Sequence, residues 1–146
     1  MKNLSEFLGI IPHIKDVLKY RNRPQLETTD IRCGLVDEYL VVDFKVHNKG
    51  KSDVLSFSVR GIIYDKNGDP ISDPNRESCN EIARDKLSKE IRFPFRNYCE
   101  KFVTLVIIIT IGETQFRKEV DIKECLKQNY KIKFDSLSIS FGKRPK

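Results

Sequence analysis

The run FVTLVIIITI, residues 102–111, constrains the fold of this chain more than any other stretch. It is apolar at both parities, so a strand built from it is covered on both faces and takes a central place in a sheet. Gly112 and Glu113 end it in a turn, and TQFRKEVDI follows with Phe116, Val120 and Ile122 continuing the sheet. The remaining segments must then supply its neighbours and a second layer.

They do so with period-two patterns. In YLVVDFKVH, residues 39–47, Leu40, Val42, Phe44 and Val46 alternate against Val41, Asp43, Lys45 and His47. Asn48 and Gly50 supply a turn, since both tolerate positive φ. Leu55, Phe57, Val59 and Ile63 line one face of the next strand, where Gly61 leaves a gap that implies a bulge or the close approach of a neighbour. DKNGDPISD, residues 65–73, is turn chemistry. Ser78 followed by Glu81 makes a capping box and predicts a two-turn helix over residues 79–87. In EIRFPF, Ile91, Phe93 and Phe95 point one way, and Pro94, with no amide to donate, places the strand at an edge or ends it there. Leu26 to Cys33 forms a weaker first strand. Ile122, Cys125, Leu126 and Tyr130 fit a short helix, after which Ile132 and Phe134 have one parity and Leu137, Ile139 and Phe141 the other. A count of 16 Ile against one Ala, with no Trp, favours strands throughout.

Seven strand-like segments separated by turns fit a mostly β protein, an antiparallel immunoglobulin-like β-sandwich. At 146 residues the chain suits a single core. Its divisions are a helical segment over residues 1–23, the sandwich over 24–123, and a helix/strand extension with a basic tail over 124–146.

The first segment carries Leu4, Phe7, Leu8, Ile11, Ile14, Val17 and Leu18 at helical spacing, with Pro12 kinking or splitting the helix. That apolar stripe is the candidate partner-binding surface. It suits packing on the sandwich, pairing with a second copy, another protein partner, or contact with an anionic membrane through Lys19, Arg21 and Arg23. The net charge of +6 is concentrated at the ends, about +3 over residues 1–23 and +5 over 117–146. Lys19, Arg21, Arg23, Lys143, Arg144 and Lys146 are therefore the candidate anion contacts. With Lys131 and Lys133 near Tyr130 and Phe134, the C-terminal end also suits weak nucleic-acid binding.

Catalytic and metal signals are weak by comparison. His13 and His47 have no adjoining nucleophile motif, and the expectation is a non-enzymatic protein with no cofactor and no small-molecule substrate. Asp65, Asn67, Asp69 and Asp73 gather oxygen ligands on one loop, but calcium-loop spacing fails, with Pro70 in sixth place and Arg76 in twelfth, so a hairpin turn is the reading. Cys33, Cys79, Cys99 and Cys125 lack the Cys-x-x-Cys spacing of zinc sites. They suit buried thiols acting as small hydrophobes or one or more disulfides. No export signal or apolar span is apparent, which leads to the expectation of a cytoplasmic protein able to associate with membranes.

Residues 40–111 resemble prokaryotic FxLYD-type domains and the related CARDB-type adhesion modules. The matching residues are Val46, Asn48 and Gly50, then Ile63, Tyr64, Asp65 and Gly68, then Phe93 and Phe95, with Gly61 where the family name has Phe. The resemblance implies an immunoglobulin-like sandwich serving as a binding or spacer unit. The expected function is thus a non-enzymatic interaction or structural module acting through a protein partner or self-association.

Overall fold

The computed structural model describes residues 24–128. They form β1 (Leu26–Val36), β2 (Tyr39–Asn48), β3 (Phe57–Tyr64), β4 (Asn75–Cys79), β5 (Ile91–Phe95), β6 (Thr104–Ile111), β7 (Thr114–Asp121) and α1 (Ile122–Lys127). Two antiparallel sheets result, ordered β1-β2-β5 and β4-β3-β6-β7. The inner sides of both are apolar: Leu40, Val42, Phe44 and Val46 from β2 meet Val59, Ile63, Leu105, Ile107 and Ile109 from β3 and β6, all fully buried. This is the immunoglobulin-like sandwich expected from the alternation. In constant-type immunoglobulin domains the fourth strand lies beside the fifth; here β4 pairs with β3, and β5 is left as an edge bearing Pro94.

Three expectations are corrected and one strand is added. The helix predicted over residues 79–87 is absent. Ser78 and Cys79 belong to β4, and Ile82 instead exchanges both backbone hydrogen bonds with Val54 at 2.8 and 3.0 Å. A helix of two turns is marginal by itself, and this segment gains more by sealing the end of β2, where Asn48 donates to Lys86 and His47 bridges Leu87. Leu55 is 76% exposed, because β3 begins only at Phe57. The polar strand NRESC, β4, which no alternation marks in the sequence, is an edge held by its ladder to β3. Neither Asn48 nor Gly50 has positive φ; those conformations fall at Asp30, Asp37, Asp85, Asn97, Gly68 and Gly112. The helix expected over 1–23 and the strands expected beyond Tyr130 lie outside the described residues.

The gap at Gly61 is a close approach. A Cβ there would lie 2.8 Å from Phe93 Cδ2 and 3.1 Å from both Phe93 Cε2 and Phe95 Cζ. Phe93 also meets Phe44 edge-on at 5.3 Å between centroids, so its ring has no room to retreat. Gly61→Ala is expected to cost about 1 to 3 kcal/mol by overpacking. In a Phe93→Leu background the cost should shrink, and a double-mutant cycle in denaturant would register the coupling. Strict additivity would mean that the ring does not set the requirement.

Candidate functional site

The residues with chemistry are mostly committed to structure. Asp43 lies on the outer side of β2, opposite Arg32 of β1 and Arg92 of β5. It is buried, and Arg92 grips it in bidentate fashion, Nε to Oδ1 at 2.6 Å and Nη2 to Oδ2 at 2.7 Å. Those bonds push the Arg92 guanidinium up from its ordinary value. Asp43, set between Val42 and Phe44 in the middle of β2, is the one acid of that strand, and an arginine later placed across from it makes the pair.

Cys33 of β1 and Cys125 of α1 form a disulfide with Cα atoms 5.6 Å apart, which decides between the two uses of cysteine for that pair. Cys79 and Cys99 are free thiols. Burial, assisted by the neighbouring Glu77, pushes the Cys79 thiol up to about 11, so it is a poor source of thiolate. His47 sits at the end of β2 opposite Glu27. Asp65 holds its own turn: Oδ1 accepts from the amides of Asn67 at 2.9 Å and Asp69 at 3.0 Å, and Gly68 takes φ of 83°. Among the described residues no three His, Cys, Asp or Glu side chains converge as a metal site. A cleft of about 440 Å³ beside that turn is lined by Asp65, Lys66, Asn67, Glu100, Lys101, Val103 and Lys123, a mixture of charges with no Ser, Thr, Cys or His among them.

Among the described residues the open surface feature is a sheet edge. Strand ends and edges are blunted elsewhere: β1 is bulged between Thr29 and Arg32 around Asp30 at φ 58°, β5 carries Pro94, and β4 has five residues. By contrast β7 runs eight residues in unbroken register with β6 and contains neither bulge nor proline. The two-residue turn Gly112-Glu113, with Gly112 at φ 55°, makes Ile111 and Thr114 the first hydrogen-bonded pair. Pairs then alternate, so the amides of Gln115, Arg117 and Glu119 point away from β6. The sequence pattern marks β7 only as one more strand. Its status as an edge depends on strand order, which no local pattern encodes.

All the candidate partner and anion contacts named from the sequence, Leu4 to Leu18, Lys19, Arg21, Arg23, Lys143, Arg144 and Lys146, lie outside the described residues, as does His13. Among the described residues no helix is long and apolar enough to cross a membrane.

No family model and no curated protein matches the sequence. Among solved structures, the chain is similar to beta-glucosidase 3B of Thermotoga neapolitana at 10% identity and a TM-score of 0.42, over 68% of this chain and 16% of that one. It is similar to a beta-glucuronidase of glycoside hydrolase family 2 at 12% identity and a TM-score of 0.43, over 65% of this chain and 11% of the other. CsgH of R. palustris aligns over 69% of this chain and 96% of its own, at 6% identity and a TM-score of 0.36. The chain therefore spans a small part of the glycosidases it matches. The fold assignment rests on the strand order above and not on these likenesses.

Proposed function

We propose that this chain is a non-enzymatic interaction module, an immunoglobulin-like sandwich that binds other proteins by adding an extended segment to β7. The observation that carries this reading is the regular, eight-residue edge with outward amides at Gln115, Arg117 and Glu119. Arg117, Lys118 and Glu119 discourage indiscriminate pairing and favour a partner strand with complementary charge. The spent chemistry of Asp43, Cys33, Cys125 and Cys79 supports a role other than catalysis. The resemblance of Val46 to Gly50 and Ile63 to Gly68 to adhesion-type modules supports the same class. The disulfide supports a setting in which thiols oxidise, either outside a reducing cytosol or within the disulfide-bearing cytosol of some heat-adapted organisms.

Arg117→Pro tests it. Arg117 faces Ile108 in a pair without mutual hydrogen bonds, so proline removes an outward donor while leaving the β6–β7 ladder in place. Stability should change by less than about 1 kcal/mol, and partner capture or self-association, measured by pull-down and light scattering, should weaken by about tenfold or more. Equal recovery of partners by both proteins, with equal mass in solution, would sink the reading.

A further inference from the structure

The outer face of the four-stranded sheet carries a second apolar patch. Val106 and Ile108 point away from the core cluster, yet they are only 4% and 2% exposed. Beside Val106 stand Ile62 and Glu119, and beside Ile108 stand Arg60 and Arg117. Ile62 and Arg60 are half-buried, and Arg117 and Glu119 are exposed. Among the described residues no element crosses this face: β1, β2 and β5 stack on the inner side, and α1 packs against β1 and the end of β7. A central strand that is apolar on both sides requires a third layer.

We propose that residues 1–23 of the same chain form that layer, with the stripe from Leu4 to Leu18 laid along β6 over Val106, Ile108 and Ile62. Three features of the chain select this occupant. Leu4 to Leu18 at helical rise spans at most about 22 Å, kinked or split at Pro12, which lies within the roughly 27 Å of an eight-residue strand, so one stripe fits along one strand. The linker Lys19–Pro24 spans up to about 20 Å, matching two layer spacings of about 10 Å from β1 to a helix on the far sheet. It also starts at the right end of the sandwich, because Gln25 accepts from Lys49 beside the end of β2, where β3 begins and β6 finishes. The C-terminal residues 129–146 fit less well. Their apolar positions alternate and change phase at Asp135 and Ser136, a pattern for strand pairing and not for covering a face.

The chain has no tryptophan, so Phe7→Trp in the full-length protein gives a single fluorescent reporter on the stripe. Its emission should be blue-shifted at all concentrations in a protein whose mass by light scattering is that of one chain. Adding Ile62→Lys, at a half-buried position where a lysine stem can bend outward, should shift the emission to the red without unfolding the sandwich, as judged by circular dichroism. Emission typical of solvent-exposed indole in the Phe7→Trp protein would overturn the proposal. So would a blue shift unmoved by Ile62→Lys, which would place the segment elsewhere, or one that appears only as a dimer forms, which would assign the face to a second copy. A blue shift for Phe134→Trp that Ile62→Lys abolishes would assign it to the C-terminal segment and would likewise overturn it.

Discussion

Replacing Cys33 by Ser is expected to lower the unfolding free energy by about 4 to 5 kcal/mol. The bond to Cys125 closes a loop with a sequence separation of 92, and the chain-entropy relation assigns about that much to a loop of this length. Domains of this size are stable by only about 5 to 15 kcal/mol, so the variant loses a large share of the whole. The reason lies in the topology. β1 is the outermost strand of its sheet and β7 that of the other, and α1, leaving β7, reaches across to β1. The disulfide therefore ties the first strand to the last element of the sandwich. Urea denaturation of the oxidised wild type, the reduced wild type and Cys33→Ser should give one high midpoint and two similar low ones. Cys79→Ser should stay near wild type. Alkylation of the denatured, unreduced protein should label two cysteines, and after reduction four. Coincident midpoints for all forms, or four labels without reduction, would contradict the pairing.

Most of the sandwich is legible in the sequence because its strands are buried on one side and read by alternation: Leu40 to Val46, Phe57 to Ile63 and Ile91 to Phe95 all face the core as their parity dictates. The double burial of β6 is legible for the same reason, as is the crowding that excludes a side chain at Gly61. What fails is what depends on position in the assembled sheets. The strand NRESC has no apolar alternation, and backbone bonds to β3 alone make it a strand. The capping box at Ser78 and Glu81 is a local preference that the pairing of Ile82 with Val54 overrides. The partner of Cys33 could not be chosen among three other cysteines until α1 was brought beside β1. The open edge of β7 is hidden in the same way, since the segment reads identically whether a strand pairs it on one side or two.

Asn48→Ala should be the most damaging single substitution of a polar side chain at the β2–β3 end, costing about 2 to 4 kcal/mol. The sequence marks Asn48 as a turn residue, but it acts through its side chain and not through a positive φ. It is fully buried. Nδ2 donates to the carbonyls of Ser52 at 2.9 Å and Ile82 at 3.1 Å, and Oδ1 accepts from the amide of Gly50 at 3.0 Å. One amide thus folds the loop after β2 and pins it to the segment that replaces the expected helix. Alanine leaves the buried Gly50 amide without an acceptor, for about 1 to 3 kcal/mol, and opens a small void in addition. Asn48→Asp separates the two halves of this role. It keeps an acceptor for Gly50 but turns a carboxylate oxygen toward two carbonyls in a dry site, which favours the protonated acid and raises its folded pKa above the unfolded value. The protonated acid can still donate to one carbonyl, so the Asp variant should be closest to wild type at low pH. Its deficit should grow as pH rises through about 4, the ordinary carboxylate value, toward the raised folded value. Denaturant midpoints for the three proteins at pH 4 and pH 7 decide the matter. An Asp variant as stable as wild type at pH 7 would show that the Nδ2 bonds do not hold this end of the sandwich closed.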